Sequence, residues 1–117
     1  MRDFRQLQVW KKAHELTLNI YKTTRSFSRA EVYGLTSQLR RASASIGANL
    51  AEGCGRSTVG DLRRFVDIAS GSASEVDYHL LLARDLSEMQ EPLYVEFDQA
   101  INEVKKMLNA LGKSLRS

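Results

Sequence analysis

The stretch that decides the fold is TVGDLRRFVDIASGSASEVDYHLLLA at residues 58–83, which contains no proline. Apolar and small side chains recur in it every three or four residues, as they do on one face of an α-helix. They are Leu62, Phe65, Val66, Ala69, Ala73, Val76, Leu80 and Ala83. Thr58 is a good N-cap and Asp61 follows three residues later, a pattern typical of a helix start. We therefore predict a long amphipathic helix over residues 58–87.

Three other segments have the same periodicity, and they span residues 6–25, 35–54 and 92–115. Gly34, the pair Gly53 and Gly55, and the single proline, Pro92, mark the breaks between helices. The first segment places Leu7, Trp10, Ala13, Thr17, Ile20, Tyr21 and Thr24 on one broad face. The second has a stripe of Leu35, Leu39, Ala42, Ile46, Leu50 and Gly53, and the fourth has Leu93, Phe97, Ile101, Val104, Leu108, Leu111 and Leu115. Four amphipathic helices joined by short loops predict an all-α fold, an antiparallel up-down-up-down four-helix bundle, with residues 1–117 as one domain.

Two of these helices have a second face that is not polar. Opposite its core stripe, helix 35–54 carries the small residues Ala44, Gly47, Ala48 and Ala51. Helix 58–87 carries Ile68, Gly71, Glu75, Tyr78 and Leu82 there, with Arg64 one step earlier in the same 4-3-4-3 spacing. A helix that is apolar or small on both sides is usually buried on both sides, so we predict a homo-oligomer that packs these faces together. The alternative is an exposed, alanine-rich face that reflects helix propensity alone.

Charge is segregated along the chain, although the total is only +3. Residues 1–64 have a net charge of +7, residues 65–103 of −8 and residues 104–117 of +4. In an up-down-up-down bundle, both termini and the loop between the second and third helices meet at one end. That end is therefore basic, and it carries Arg2, Arg5, Lys11, Lys12, Arg56, Arg63, Arg64, Lys113 and Arg116 against Asp3, Glu52 and Asp61.

A basic end that an oligomer repeats by symmetry is suited to binding a phosphate backbone. The candidate nucleic-acid-binding residues are Arg5, Lys11, Lys12, Arg56, Arg63 and Arg64. The loop GCGRST at residues 53–58 sharpens this hypothesis, because it places two glycines and an arginine before a helix N-terminus, where free N–H groups attract anions. The alternatives are a plain helix C-cap for the glycines and a solvated surface for the cations.

The sequence lacks the patterns of catalysis and of metal or cofactor binding. Neither His14 nor His79 belongs to a Glu-x-x-His pair of the kind that binds di-iron in helix bundles, and no nucleophile elbow or P-loop occurs. Cys54, the single cysteine, has no candidate base beside it. We therefore expect no enzyme, metal, cofactor or small-molecule substrate. The sequence has no apolar run of membrane-spanning length and no apolar region near its N-terminus. We therefore expect a cytoplasmic protein.

Five stretches of the sequence are distinctive: FRQLQVWKKA (4–13), EVYGLTSQLRRASASI (31–46), NLAEGCGR (49–56), RFVDIASGSASEV (64–76) and MLNAL (107–111). Together they resemble a known bacterial family, the four-helix-bundle proteins encoded by intervening sequences in 23S rRNA genes, also called the S23 ribosomal protein family. Ser28 and Gly47 stand where prolines are common in that family. The resemblance covers nearly the whole chain.

This resemblance implies a homopentamer that associates with ribosomal or other structured RNA. It also implies kinship with the accessory proteins of diversity-generating retroelements, which help a reverse transcriptase handle RNA. The leading hypothesis is therefore a non-enzymatic oligomer that binds RNA through its basic end. The competing hypothesis is a protein-binding scaffold that has no direct contact with nucleic acid, and the steep salt dependence of RNA binding separates the two.

Overall fold

The computed structural model describes residues 2–116, and in this part of the chain four α-helices account for most of the residues. Helix α1 spans Gln8–Thr24, α2 spans Leu35–Cys54, α3 spans Val59–Asp85 and α4 spans Glu91–Ser114. Two short 3-10 turns, Phe4–Gln6 and Arg29–Glu31, precede α1 and α2. The predicted all-α fold is confirmed, and the predicted helix bounds differ from these by at most two residues.

Each helix packs against two neighbours, so α1 and α4 close the bundle. Contacts between the helices give their directions. The hydroxyl of Thr17 in α1 donates to the carbonyl of Ser43 in α2 at 3.0 Å, and the hydroxyls of Ser45 and Ser72 link α2 to α3 at 2.9 Å. Lys105 in α4 pairs with Asp77 in α3 at 3.0 Å. A second contact in each pair shows that the helices run in opposite directions: Thr24 meets Arg40, Glu75 meets Arg41, and Arg116 meets Asp67. Neighbouring helices are therefore antiparallel, which is the predicted up-down-up-down order, and the molecule measures 43 × 23 × 19 Å.

The core stripes predicted for α2 and α3 are buried at every position, and most of the α4 stripe is too. The largest side chains with almost no exposure are Ile20, Leu39, Ile46, Leu50, Leu80, Ile101 and Leu108. Burying an aliphatic side chain of this size stabilises a fold by about 1.5–3 kcal/mol relative to leaving it in water. These residues therefore supply much of the driving force for packing the four helices.

The predicted core face of α1 is partly wrong. The buried residues of this helix are Val9, Ala13, Leu16, Ile20 and Thr24. Trp10 and Thr17 are only half-buried, and Tyr21 is 40% exposed. The helix has two apolar stripes side by side, and the narrower aliphatic one enters the core while the bulky aromatic side chains lie at its rim against α2. This rim is one wall of a surface groove described below.

The loop between α2 and α3 depends on one close contact and one helix cap. A Cβ added to the buried Gly53 would lie 2.8 Å from the Cβ of Phe65, so only glycine lets the end of α2 approach α3 this closely. The Thr58 hydroxyl oxygen accepts the backbone N–H of Asp61 at 3.1 Å, which confirms the predicted N-cap. Together they set the position at which α3 begins.

None of the helices in residues 2–116 has both the length and the apolar character needed to cross a membrane.

Candidate nucleic-acid interface

The N-terminal segment and the α2–α3 loop are joined directly at one end of the bundle. The backbone N–H of Arg2 donates to the carbonyl of Cys54 at 3.0 Å. Asp3 caps the first 3-10 turn, because its Oδ1 atom accepts the backbone N–H of Arg5 at 3.0 Å. These hydrogen bonds hold the basic N-terminal residues beside the loop that carries Arg56.

Three of the six predicted nucleic-acid-binding residues have carboxylate partners. Arg5 lies 3.4 Å from Asp3, and Lys12 lies 3.3 Å from Glu103 on α4. Arg56 pairs with Glu52 at 3.2 Å, one turn earlier in the chain. All three pairs are exposed, so they contribute little to stability and can exchange their partner for a phosphate.

The other three candidates, Lys11, Arg63 and Arg64, form no ion pair within residues 2–116, and neither do Arg2 and Lys113. These five cations belong to the same end, because they lie in the N-terminal segment, the first turns of α1 and α3 and the last turn of α4. The guanidinium group of Arg64 lies 4.8 Å above the ring of Phe65, which leaves its N–H groups available. We call the end that these residues share with Arg5, Lys12, Arg56 and Arg116 the basic end.

Some of the backbone N–H groups of the α2–α3 loop are already used. The N–H of Gly55 donates to the carbonyls of Ala51 and Glu52, and that of Arg56 donates to the carbonyl of Gly53. The N–H of Asp61 is occupied by Thr58. Gly55 also has an ordinary φ of −80°, which is compatible with its interpretation as a C-cap. These three N–H groups are therefore not offered to an anion, and an anion site at the start of α3 stays a prediction.

Cys54 lies in the core beside the same loop, and it is not poised as a nucleophile. Burial raises the pKa of its thiol, and the nearby positive charge of Arg2 opposes this shift only in part. In the described part of the chain, no group of three or more His, Cys, Asp or Glu residues could hold a metal ion.

The predicted oligomer surface consists of two adjoining strips. On α2, Ala44 and Ala48 are exposed and Gly47 and Ala51 are half-buried. On α3, the strip comprises Ile68, Gly71, Glu75 and Tyr78, all exposed, with the half-buried Leu82. Within the described residues no atom of another segment lies within 4 Å of a Cβ built at Gly71. Apart from Gly47, which the Trp10 indole of the same chain partly covers, both strips remain available to a second subunit, and their role stays a prediction.

The charged residue in the middle of this surface has a partner in its own chain. Glu75 on α3 accepts the guanidinium of Arg41 on α2 at 2.7 Å, as expected from the arginines nearby. His79, one turn later, is half-buried, and its Nδ1 atom has no hydrogen-bond partner among residues 2–116. Burial lowers the pKa of this histidine, and Glu75 and Arg41 act on it in opposite directions.

Two features of the surface were not predicted. The first is a groove between α1 and α2, lined by Phe4, Trp10, His14, Leu18, Tyr21, Ala44 and Ala48. The second lies at the other end of the bundle, where Tyr33 is 94% exposed beside Tyr21 and Arg40. Trp10, His14 and Leu18 follow one another at intervals of four residues, which places them on one side of α1. This spacing could have indicated the groove. The exposure of Tyr33 depends on the conformation of a loop, which periodicity does not report.

Comparison with known proteins places these surfaces in context. The sequence matches the family model described as 23S rRNA-intervening sequence protein over residues 5–110. A crystal structure of a protein with unknown function from the S23 ribosomal protein family of Bacteroides thetaiotaomicron superposes with a TM-score of 0.80. It is 25% identical in sequence, and the match covers 90% of this chain and 98% of the other. No curated protein matches the sequence.

Proposed function

Because this chain belongs to the 23S rRNA-intervening sequence protein family, we propose that it is a non-enzymatic homo-oligomer that binds RNA phosphates through its basic end. One observation carries the proposal. Five cations at this end, Arg2, Lys11, Arg63, Arg64 and Lys113, have no carboxylate partner among the described residues. Unpaired cations on a single surface attract a polyanion and release its condensed counterions when they bind it.

The proposed contact is made by flexible side chains and is directed at the backbone of the RNA. The N–H groups of Gly55 and Arg56 bond to carbonyls of α2, so these two groups are not available to a phosphate. Lysine and arginine side chains on the surface adapt to many phosphate spacings, which favours recognition of charge and shape over recognition of sequence. We therefore expect modest sequence preference and strong dependence on salt.

Oligomer formation would strengthen this contact. A ring repeats the basic end once per subunit, and linked sites bind one long RNA with an avidity far above that of a single site. The exposed strips on α2 and α3 support such an assembly, because small residues at Ala44, Ala48 and Gly71 allow another helix to approach closely. The resemblance implies five subunits.

The test is binding of a 23S rRNA fragment by protein freed of nucleic acid, followed over a series of salt concentrations. We expect the logarithm of the association constant to fall linearly with the logarithm of the salt concentration. Each phosphate contact should make this slope steeper by about 0.7–0.9. Binding that is absent at low salt, or that does not weaken as salt rises, would contradict the proposal.

A protein-binding scaffold is the second candidate, and the groove between α1 and α2 favours it. The groove is lined mainly by apolar side chains, including Phe4, Trp10 and Leu18, and an amphipathic helix of a partner could dock there. Association through this groove should change little with salt, because apolar contacts rather than ion pairs would hold the partner. The salt series therefore distinguishes the two candidates.

A further inference from the structure

Tyr33 is the most exposed large side chain with apolar character in the described residues. It lies between the 3-10 turn Arg29–Glu31 and α2, and 94% of its surface is open to water. Its neighbour Val32 is also exposed. An aromatic ring in this position has a free π-face, which is the group that stacks on nucleobases in proteins that bind single strands.

The surface beside Tyr33 combines a second aromatic ring with a fixed guanidinium group. Tyr21, Ser37, Arg40 and Arg41 line the same shallow depression. Arg40 is held in place by two hydrogen bonds, from its Nε to the Thr24 hydroxyl oxygen at 2.8 Å and from Nη2 to the Tyr21 carbonyl at 3.3 Å. Its guanidinium carbon lies 4.9 Å from the centre of the Tyr21 ring. The depression is therefore preorganised, since Arg40 needs no further ordering to meet a ligand.

The charge of this depression is suited to an anion. Arg40 forms no ion pair with any of residues 2–116, and its charge remains uncompensated next to two aromatic rings. Arg41 is paired with Glu75 at 2.7 Å, but this pair is exposed. A phosphate group near Arg40 would therefore gain a charge-assisted hydrogen bond without displacing a carboxylate.

The basic end lacks a comparable stacking surface. Its aromatic rings are Phe4, Trp10 and Phe65; the Trp10 indole is half-buried and stacks on His14, and arginine side chains cover the two phenylalanines. Arg5 lies 4.5 Å above Phe4, and Arg56 and Arg64 lie 5.1 and 4.8 Å from Phe65. That end offers charge for phosphates, whereas the Tyr33 depression offers an open ring for a base.

We propose that the depression formed by Tyr21, Tyr33 and Arg40 is a second nucleic-acid site, which binds an unpaired base of single-stranded RNA by stacking on Tyr33 while Arg40 contacts the adjoining phosphate. The inference rests on the proposed RNA binding and adds a site at the opposite end of the bundle. A protein partner is disfavoured, because the depression consists of aromatic, guanidinium and hydroxyl groups and Val32 is its one aliphatic side chain.

The test compares Tyr33→Ala with the control Val95→Ala, which truncates an apolar side chain that is 43% exposed on α4, outside the depression and both predicted oligomer strips. The probes are oligoadenylate, which has bases, and inorganic polyphosphate, which has none. Tyr33→Ala should weaken oligoadenylate binding about tenfold, leave polyphosphate binding unchanged and keep the parent's salt slope, because tyrosine carries no charge. Tyr33→Trp should restore oligoadenylate affinity, since indole also stacks. Val95→Ala should bind both probes as the parent does.

The possible failures are distinct. Unchanged oligoadenylate binding in Tyr33→Ala overturns this proposal and leaves RNA binding at the basic end intact. Equal losses for oligoadenylate and polyphosphate show that Tyr33 does not act by stacking and also overturn it. A Tyr33→Ala protein with altered sedimentation assigns the residue to contacts between subunits instead. A parent protein that binds neither probe overturns both this proposal and the proposed function.

Discussion

The indole of Trp10 in α1 lies directly over Gly47 in α2. A Cβ built at Gly47 would come within 3.2 Å of the indole Nε1 atom, and the Trp10 ring stacks on His14 with 4.8 Å between ring centres. Gly47, which we expected to face a second subunit, is thus partly covered within its own chain. The small-residue strip of α2 remains exposed at Ala44 and Ala48, which line the groove between α1 and α2.

Ala48→Glu should therefore dissociate the oligomer while leaving helicity intact. The substitution places a charge on an exposed helical position, where it is harmless in a monomer, but it would bury an unpaired charge in a subunit contact. Ala110→Glu, at an exposed position on α4 outside both predicted strips, is the matched control and should sediment like the parent. Sedimentation velocity measures both. An Ala48→Glu protein with the parent's sedimentation coefficient would refute the interface on α2.

Gly71→Leu should stabilise the isolated subunit but prevent its assembly into the oligomer. No other segment of the described chain approaches this position within 4 Å, so leucine fits the isolated subunit and should raise helix stability by up to about 1 kcal/mol. In an oligomer with a helix packed close to Gly71, the same side chain would clash. We expect a protein that is folded but no longer assembled. A variant that is both more stable and fully oligomeric would show that nothing packs against Gly71.

Gly53→Ala should destabilise the bundle by about 1–3 kcal/mol, because the new methyl group would lie 2.8 Å from the Cβ of Phe65 and 3.0 Å from Leu62. Gly60→Ala is the comparison. Its Cβ meets nothing within 4 Å, and alanine in a helix should be neutral or stabilising by up to about 1 kcal/mol. Urea unfolding followed by circular dichroism gives both values. Equal stabilities for the two variants would mean that the α2–α3 approach at Gly53 is looser than described.

The stability of the protein should fall as pH drops below 6.5, the ordinary pKa of histidine, partly because of His79. Burial lowers the pKa of His79 in the folded state, so the unfolded chain takes up the proton first and protonation favours unfolding. The contribution is fully present above that pH and is lost as acid is added. His79→Gln should show a shallower decline of the unfolding free energy than the parent. An unaltered decline in His79→Gln would contradict this assignment.

The sequence was sufficient to predict the elements whose periodicity has one dominant interpretation. In α3, residues such as Val66, Val76 and Leu80 lie on a single stripe, and all of them are buried. In α1 two apolar stripes compete, and the large aromatic residues Trp10 and Tyr21 were placed in the core ahead of Val9 and Leu16. A small bundle buries compact aliphatic side chains between four helices more readily than an indole, which can cover Gly47 from the side.

Features that depend on backbone hydrogen bonds or loop conformation were beyond prediction from the sequence. The glycines of the α2–α3 loop suggested free N–H groups for an anion, but helix α2 ends by using the N–H groups of Gly55 and Arg56 itself. The location of Arg63 and Lys11 at the same end of the bundle followed from charge and topology alone. The exposure of Tyr33 followed from neither, because a loop residue has no periodic partner that sets its direction.

The most direct measurement is the salt dependence of RNA binding by Lys11→Ala/Arg63→Ala. Both residues lack an ion-pair partner among residues 2–116, and both lie outside the predicted oligomer surface, so their loss tests the basic end alone. The control, Lys22→Ala/Arg84→Ala, removes the same charge near the opposite end. Both proteins must first sediment like the parent. For Lys11→Ala/Arg63→Ala we predict weaker RNA binding and a salt slope that is smaller by about 1.5 for each subunit in contact with the RNA. The control should change little in either quantity. Equal losses in both variants, or an unchanged slope in the first, would contradict RNA binding through the basic end.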